Sequence, residues 1–338
     1  MLARFPVICG PTASGKSALA VAVALELIAE DGGRFAPAIV TADAFQVYRG
    51  MDIGTAKPTE AERRGVPHLL VDVVEPTERF TVDRWLGLAG EAIRARWPVG
   101  KPGVDERQGP PIVVGGTHLY VKALLDGLFE GPGADPVVRA VLGAMPAAAR
   151  RAELERVDPA AAARIHPSDD RRTIRALEVF RLTGMTISAH QRQWDAPDGG
   201  GGEPARGGWG GPRADALLVC LHMETAALNG RINGRVRGMM EAGLLDEVRG
   251  LHGAGRLGPQ AREALGYKQI AAHLEDPKRV PLEEAVERIK IETRRFAKNQ
   301  RTWLRRLGAT PGALRLDVGA CTIEEAARAV VEAMRRHG

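Results

Sequence analysis

The stretch Gly10-Pro-Thr-Ala-Ser-Gly-Lys-Ser17 decides the fold of this chain. It follows the apolar run Phe5–Cys9, which predicts a buried strand, and it precedes Ala18–Leu27, whose composition predicts a helix. A strand, the pattern G-x-x-x-x-G-K-[ST] and a helix in that order are typical of a phosphate-binding loop. Backbone amides would bind an anion beside the Lys16 ammonium, and the Ser17 hydroxyl would be a ligand for Mg²⁺. The pattern does not distinguish a nucleoside triphosphate from a pyrophosphate, because both present the same oxygens.

The length and composition predict a globular protein with two domains, or one domain with a large insertion. Its 338 residues are 44% hydrophobic and 26% charged, which is ordinary for such a protein. Cys9, Cys220 and Cys321 lie far apart and form no CxxC pair, which argues against a zinc site or a disulfide framework. No apolar run approaches the ~20 residues of a membrane span and no signal peptide precedes the first strand, so we expect a cytoplasmic protein.

Positive charge is concentrated in one segment of the sequence. Between Arg288 and Arg306 there are eight basic residues and one acidic residue, Glu292, so this segment has a formal charge of +7. The whole chain has a net charge of +5, and the remainder is therefore slightly negative. A local excess of this kind is expected of a surface that binds a polyanion such as nucleic acid.

Four further apolar runs predict strands that alternate with helices. They lie at Ala38–Asp43, at His68–Val74, from Ile112 onward and at Ala216–Leu221. This alternation predicts an α/β fold with a parallel sheet, here a P-loop NTPase-like core. Ligands bind at the carboxyl ends of strands in such sheets, so Asp43 and Thr117 should face the phosphate loop. Each has a simpler alternative, since an aspartate at a strand end caps turns and a threonine before a helix caps the helix.

The sequence pattern changes after residue 131. We predict a first part of the core at 1–131, a small all-helical insertion at 132–196, a glycine-rich linker at 197–212 and a return to the core at 213–338. On the last helix of the insertion, Arg171, Arg172 and Arg175 form a basic edge. This edge is either a solvated helix face or a contact for nucleic acid. The linker cannot bury enough apolar surface to order itself.

The basic segment falls within a long predicted helix, Leu282–Leu307, that carries one apolar stripe. Its members, which recur at spacings of three and four and are expected in the core, are Val286, Ile289, Thr293, Phe296, Gln300, Trp303 and Leu307. The arginines and lysines occupy the other faces of this helix. Trp303 is therefore predicted to pack in the core and not to stack on a base.

Several longer motifs identify a family. In chain order they are Gly10–Ser17, Ala42–Pro58 (ADAFQVYRGMDIGTAKP), Val114–Tyr120 (VGGTHLY), Asp135–Arg139 (DPVVR), Arg175–Phe180 (RALEVF), Arg231–Val236 (RINGRV), Ala264–Gln269 (ALGYKQ) and Lys298–Arg305 (KNQRTWLR). With these motifs the sequence resembles the tRNA dimethylallyltransferases, which isopentenylate the adenosine next to the anticodon. The resemblance spans nearly the whole chain. The phosphate loop alone is unspecific, whereas the second motif is highly specific.

The resemblance implies a P-loop core that holds dimethylallyl diphosphate instead of a nucleoside triphosphate, and a helical insertion that grips the anticodon stem of tRNA. It makes Asp43 the general base and puts Lys16, Thr117 and Arg235 at the leaving pyrophosphate. The cofactor would be Mg²⁺ with Ser17 as its ligand, and we expect a monomer. The diphosphate-binding residues would be Gly10, Pro11, Thr12, Ala13, Ser14, Gly15, Lys16 and Ser17. The tRNA-binding residues would be Asp43, Ala44, Phe45, Gln46, Thr117, Arg139, Arg171, Arg172, Thr173, Ile174, Arg175, Glu263, Ala264, Leu265, Gly266, Tyr267, Lys268, Lys298, Asn299, Gln300, Arg301, Thr302, Trp303, Leu304 and Arg305.

Two positions depart from the family pattern. Ala44 stands where a serine usually follows the catalytic aspartate, which would remove one hydrogen bond to the target base. His118 stands where glycine is usual, and it would narrow or re-polarise the channel. Neither change removes a group that the chemistry requires.

Three other functions stay open at this point. An adenylate isopentenyltransferase shares the chemistry but acts on a free mononucleotide, which needs neither the basic helix nor the arginines of the insertion. A P-loop kinase or NTPase would need a γ-phosphate-sensing residue or a phosphoacceptor site, and the sequence has a signature for neither. A non-catalytic RNA-binding protein would not need Lys16, Ser17, Asp43 and Thr117 to be intact.

Overall fold

The computed structural model describes residues 2–98, 101–127, 131–191 and 213–336. They form two compact units, one from Met1–Leu125 with Arg213–Gly338 and the other from Asp126–Pro212. The predicted glycine-rich linker at 197–212 lies outside the described residues. In the first unit the Arg213 amide donates to the Leu125 carbonyl at 3.1 Å, so the chain leaves this unit and returns to it at one point.

The first unit is built on a six-stranded sheet. Its strands are β1 (Phe5–Cys9), β2 (Ala38–Ala42), β3 (His68–Leu69), β4 (Pro111–Gly115), β5 (Ala216–His222) and β6 (Leu314–Asp317). Their spatial order is β3-β2-β4-β1-β5-β6, and all five pairings are parallel. The predicted α/β fold with a parallel sheet is confirmed.

Helices cover this sheet in the first unit and form the second unit. In chain order they are α1 (Lys16–Glu30), α2 (Glu60–Arg63), α3 (Val82–Arg94), α4 (His118–Asp126), α5 (Pro136–Ala144), α6 (Ala147–Val157), α7 (Pro159–Arg164), α8 (Asp170–Thr183), α9 (Ile187–Gln191), α10 (Thr225–Glu241), α11 (Leu244–Gly253), α12 (Tyr267–Glu275), α13 (Leu282–Leu307) and α14 (Ile323–Arg335). Helices α1 and α14 pack together over one core cluster, in which Leu19, Ile39 and Val330 are buried. None of the helices in the described ranges is both long enough and apolar enough to cross a membrane.

The register of the sheet brings several strand ends to one level. Gly115 of β4 lies opposite Ala42 of β2 and opposite Cys9 of β1, and Cys9 also lies opposite Cys220 of β5. The residues that follow these positions therefore meet at one edge of the sheet, as parallel sheets require of their ligand sites. They include the phosphate loop after β1, Asp43 after β2 and Gly116 after β4.

The second unit is helical in its described residues. Its core contains Leu142, Leu154, Leu177 and Val179, which are buried. Three of its helices begin at aspartates whose carboxylates accept a hydrogen bond from the amide three residues ahead, which fixes the start of each helix. That this unit binds tRNA stays a prediction.

Two secondary-structure predictions were wrong. The strand predicted at His68–Val74 ends at Leu69, because Leu70 (φ 63°) and Asp72 (φ 56°) adopt left-handed backbone conformations that no strand allows. The carboxylate of Asp72 accepts a hydrogen bond from the buried Lys57 ammonium, which stabilises this turn. The sequence patterns also gave no strand at Leu314–Asp317.

The predicted stripe on α13 was also partly wrong. Ile289 and Gln300 are buried as expected, but the Phe296 side chain is 43% exposed and Trp303 is partly exposed. Small residues that the pattern passed over take part in the core, among them Ala285 and Ala297. The helix therefore packs through a face turned slightly from the predicted one.

Replacement of Gly115 by alanine should destabilise the sheet edge. A Cβ at this position would lie 2.0 Å from the Ala42 carbonyl oxygen, so the backbone of β2 or β4 would have to move. We expect a loss of about 1–3 kcal/mol in the free energy of unfolding, measured by urea denaturation. The matched control is Gly238→Ala in α10. An added Cβ there would meet no atom within 4 Å apart from the backbone of its own helix, and this variant should gain about 0.5–1 kcal/mol in the free energy of unfolding. Equal stability of the two variants would contradict this account.

Candidate active site

A pocket opens at the carboxyl edge of the sheet in the first unit. Its lining residues come from the phosphate loop, from the ends of β2 and β4, from the loop after β2, from β3 and from α10. They are Thr12, Lys16, Ser17, Thr41, Asp43, Gln46, Thr55, Pro58, His68, Val114, Gly115 and Arg235. The pocket thus brings together three of the four predicted catalytic residues, Lys16, Asp43 and Arg235.

The phosphate loop has the conformation of an anion-binding site. Ala13 (φ 64°) and Gly15 (φ 90°) are left-handed, which turns the chain sharply before α1 begins at Lys16. No side chain caps the first turn of α1, so its amides are available to an anion. The sequence prediction of a strand, a loop and a helix is confirmed in this segment.

Two cations and one carboxylate set the electrostatics of the pocket. Burial and, after it, the positive charge of Arg235 lower the pKa of Lys16 to about 8, while Asp43 opposes the shift. Burial also lowers the pKa of Arg235, again opposed by Asp43. The Arg235 Nη1 donates to the Thr12 hydroxyl at 3.3 Å, which ties α10 to the phosphate loop. Two cations that share one carboxylate favour a ligand with several negative charges.

The Asp43 carboxylate both caps a turn and lines the pocket. Its Oδ1 accepts hydrogen bonds from the backbone amides of Phe45 (2.9 Å) and Gln46 (3.2 Å). These bonds fix the orientation of the carboxylate, and the two amides do not use Oδ2. The simpler alternative, a turn-capping aspartate, is thus correct for one oxygen and does not exclude a chemical role for the other.

Thr117 connects the end of β4 to the turn that holds Asp43. Its hydroxyl accepts a hydrogen bond from the Ala44 amide at 3.1 Å, and its own amide donates to the Ala42 carbonyl at 3.4 Å. Thr117 therefore contacts both neighbours of Asp43 in the chain. Its predicted contact with the leaving pyrophosphate stays a prediction.

The loop that follows Asp43 is held by side chains from inside and outside the loop. The side-chain amide of Gln46 donates through Nε2 to the carbonyls of Thr55 and Ala56 at 3.1 Å each. The Lys57 ammonium, whose side chain is 4% exposed, donates to Asp52 at 2.6 Å and to the Tyr48 carbonyl at 2.5 Å. The composition of this segment predicted an ordered loop, and these contacts explain why it is ordered.

Sequence reasoning missed the outer anchor of this loop, Glu247 of α11. Its carboxylate accepts hydrogen bonds from three successive backbone amides, Asp52 (2.9 Å), Ile53 (2.8 Å) and Gly54 (3.2 Å). The hydroxyl of Tyr267 donates to the same carboxylate. No local pattern marked Glu247, because its partners in the loop lie almost 200 residues away in the sequence.

His68 was also missed, because its position in an apolar run indicated only a strand. Its Nδ1 donates to the Val66 carbonyl at 2.9 Å, since a carbonyl can only accept. Its Nε2 is buried and has no hydrogen-bond partner among the described residues. Burial lowers the pKa of His68, so the ring is neutral at physiological pH and its Nε2 is an acceptor.

The four arginines predicted to bind tRNA in the second unit fall into two pairs. Arg139 and Arg175 donate to the buried carboxylate of Glu178 at 2.8 and 2.6 Å. Burial alone would raise the pKa of Glu178, but these hydrogen bonds and one from the Asp135 amide lower it. Arg171 and Arg172 are exposed. Arg139 and Arg175 therefore stabilise the fold of the second unit, whereas Arg171 and Arg172 lie on its surface.

The remaining predicted tRNA-binding positions are a mixture of buried and exposed residues. Those with buried side chains are Thr173, Ala264, Tyr267, Gln300 and Leu304. The burial of these five side chains shows that packing residues lie inside the same motifs, and their contact with tRNA stays a prediction. Those with exposed side chains include Lys268, Lys298, Asn299, Thr302 and Arg305.

The pocket suits a magnesium ion that is held mainly by its substrate. The described residues contain no group of three or more histidine, cysteine or acidic side chains that could hold a metal ion by themselves. Ser17 and Asp43 nevertheless line the same pocket and supply two kinds of oxygen. Mg²⁺ usually binds one or two protein oxygens, several waters and the phosphates of a substrate. The donor set is compatible with that mode.

Known proteins resemble this chain over most of its length. The family described as IPP transferase matches residues 46–307. The chain is 44% identical over 310 residues to the tRNA dimethylallyltransferase of Anaeromyxobacter dehalogenans strain 2CP-1, with 90% of each protein covered. It is 42% identical over 310 residues to tRNA dimethylallyltransferase 1 of Trichlorobacter lovleyi, covering 90% of this chain and 92% of that protein.

Solved structures show the same likeness. The full-length tRNA isopentenylpyrophosphate transferase of Bacillus halodurans is 34% identical to this chain, with a TM-score of 0.64 and coverage of 98% and 97% of the two chains. A eukaryotic dimethylallyltransferase, described as acting on tRNA, is 26% identical, with a TM-score of 0.72 and coverage of 93% of this chain and 74% of that one.

The affinity of the pocket for inorganic pyrophosphate should fall as the pH rises above about 8. Lys16 loses its proton near that pH in the free protein, and a bound anion favours the charged form, so binding at higher pH requires proton uptake. Calorimetric titrations between pH 7 and 9.5 should show the dissociation constant rising about tenfold per pH unit relative to the variant Lys16→Arg. The arginine does not titrate in this range, and the ligand titrates equally with both proteins. Parallel curves for the two proteins would show that Lys16 does not contact the anion.

Proposed function

Because this chain belongs to the IPP transferase family, we propose that it transfers the dimethylallyl group of dimethylallyl diphosphate to tRNA. The acceptor is the N6 amine of the adenosine that follows the anticodon, at position 37, and diphosphate is released. The observation that carries the proposal is one pocket that contains a phosphate loop, two half-buried cations and a carboxylate held by backbone amides. These groups match a diphosphate leaving group and an amine nucleophile.

Asp43 acts as the general base in this proposal. The exocyclic amine of adenine is a weak nucleophile, because its lone pair is conjugated with the ring. A new bond forms between N6 and the allylic carbon of the donor, the bond from that carbon to the diphosphate oxygen breaks, and the amine proton passes to the Asp43 carboxylate. The turn amides of Phe45 and Gln46 hold Oδ1, which leaves Oδ2 as the oxygen to take the proton.

The leaving diphosphate is stabilised by groups that are already in place. Negative charge develops on its oxygens as the carbon–oxygen bond breaks, and the loop amides, Lys16 and Arg235 surround the place where this charge appears. Mg²⁺ bound to the diphosphate, with Ser17 as a ligand, would add a further positive charge. Partial desolvation of the pocket strengthens each of these interactions relative to bulk water.

The tRNA substrate explains the distribution of charge in the chain. A base stacked in an anticodon loop must be extruded into a pocket before its amine can react. Holding such a substrate requires contacts with its phosphates, and α13 carries exposed cations at Lys298 and Arg305. A free mononucleotide would need none of them, which favours tRNA over adenylate as the acceptor.

The proposed function is tested by incubating the protein with labelled dimethylallyl diphosphate and either bulk tRNA or AMP. We expect label in tRNA and none in AMP. Label in AMP would identify an adenylate isopentenyltransferase. A separate incubation with ATP tests the NTPase alternative, which release of phosphate without any prenyl transfer would identify.

Replacement of Asp43 by asparagine should lower turnover by roughly 10²-fold or more, the scale for loss of a general base. The variant keeps an oxygen that can accept from the amides of Phe45 and Gln46, so the turn should persist. The affinity for dimethylallyl diphosphate should hardly change, because the carboxylate serves the amine. Turnover is measured with both substrates saturating. A nearly normal rate would remove Asp43 from the role of base.

Single replacements of Lys298 or Arg305 by alanine should weaken tRNA binding and its dependence on salt. Each phosphate contact that is lost should flatten the slope of log affinity against log salt concentration by ~0.7–0.9. The affinity for dimethylallyl diphosphate should not change. The control is Arg328→Ala, which removes an exposed arginine of α14, outside the basic segment. A slope equal to that of the control would show that α13 does not hold the tRNA backbone.

A further inference from the structure

Gln300 of α13 joins two parts of the active site. Its side chain is only 7% exposed, although it directly follows the exposed Lys298 and Asn299 of the basic segment. The Oε1 accepts a hydrogen bond from the Thr12 amide of the phosphate loop at 2.8 Å. The Nε2 donates to the carbonyl of Gly116, after β4, at 2.9 Å. Both polar ends of the side chain are therefore satisfied inside the protein.

The surrounding residues are fitted to this contact. A Cβ on residue 116 would lie 2.5 Å from the Gln300 Nε2, so only glycine admits the amide at its observed position. One turn before Gln300, Ala297 belongs to a buried cluster with Leu228 and Ile232 of α10, and Ala13 of the phosphate loop packs against this cluster. Helix α13 thus supports the loop by apolar contact and by hydrogen bonding.

The two hydrogen bonds have consequences for the groups that face the substrates. The Thr12 amide donates to Gln300, so it is not one of the loop amides that bind the anion, and the Thr12 hydroxyl accepts from Arg235. Gly116 directly precedes Thr117, whose hydroxyl holds the amide next to Asp43. One side chain therefore fixes both the donor loop and the turn that carries the carboxylate.

We propose that Gln300 is a positioning residue of the donor site and not a contact for tRNA. It sets the place of the diphosphate relative to the Asp43 carboxylate by holding Thr12 and Gly116 at fixed points. This inference rests on the proposed function for the identity of the donor. It differs from the expectation that the family resemblance gave for the same residue, which was a contact with RNA.

The test compares two variants that disturb the hydrogen bond between Gln300 and Gly116, one at each of the two residues. Gln300→Met has nearly the same length and removes both hydrogen bonds, while Gly116→Ala displaces the Gln300 amide and leaves α13 unchanged. The control is Asn299→Ala, the exposed neighbour on the same helix. For each protein we would measure the dissociation constant of inorganic pyrophosphate without tRNA, the dissociation constant of tRNA at several salt concentrations, and kcat.

Gln300→Met should weaken pyrophosphate binding or lower kcat by about tenfold, while the affinity for tRNA stays within about twofold and its salt slope is unchanged. Asn299→Ala should leave pyrophosphate binding unchanged. The double variant Gln300→Met with Gly116→Ala should be no worse than the more affected single variant, because both remove one interaction. If Gln300→Met does not fold, Gly116→Ala serves as the test by itself. It should likewise weaken pyrophosphate binding or lower kcat and leave the affinity for tRNA unchanged.

The proposal is overturned if Gln300→Met weakens tRNA binding and leaves pyrophosphate binding and kcat unchanged, or if it alters none of them. Additive effects in the double variant would also overturn it. Pyrophosphate binding does not depend on prenyl transfer, so a wild-type protein that fails to label tRNA would contradict the proposed function and leave this comparison valid.

Discussion

The placement of two half-buried cations, Lys16 and Arg235, in one pocket is the constraint on which the rest of the site depends. Two positive charges that are close together and partly desolvated repel each other and lose hydration, and the lowered pKa of Lys16 expresses that cost. Asp43 offsets part of it, but a single carboxylate does not balance two cations. The arrangement is stable only within a fold that holds these groups rigidly, and it is best satisfied by a ligand with several negative charges. In the proposed reaction, a diphosphate would supply those charges at the place where the leaving group departs.

The fold and the centre of the site were predictable from the sequence because their signals are local. The phosphate loop, the strand before it and the helix after it lie within 30 residues, and Asp43 follows the next strand directly. Glu247 and Gln300 were not recognised as partners of the active-site loops, because the contacts that define them join residues almost 200 or more apart. Such contacts depend on the tertiary fold, which no spacing rule encodes. The early end of β3 at Leu69 escaped prediction for a related reason, since Lys57 stabilises the turn that follows it from outside the strand.

Charge in this chain has two distinct uses, which composition alone does not separate. Arg139 and Arg175 neutralise the buried Glu178 and thereby hold two helices of the second unit together. Lys298 and Arg305 lie exposed on α13, where a desolvation cost is absent and a phosphate can approach. Motifs that mix these uses explain why the predicted tRNA-binding set contained buried side chains. Burial therefore divides the charged residues that stabilise the fold from those that are accessible to a phosphate ligand.

The hydrogen bond between the Arg213 amide and the Leu125 carbonyl lies where the chain leaves the sheet unit and where it returns. Because both crossings are at one point, the sheet unit requires only that the two ends of the intervening segment lie close together. The strands, the phosphate loop and the basic helix would all be retained if residues 126–212 were exchanged for another compact domain. Evolution could thus replace the second unit without altering the pocket of the first, and a protein engineer could exchange residues 126–212 at the same two points.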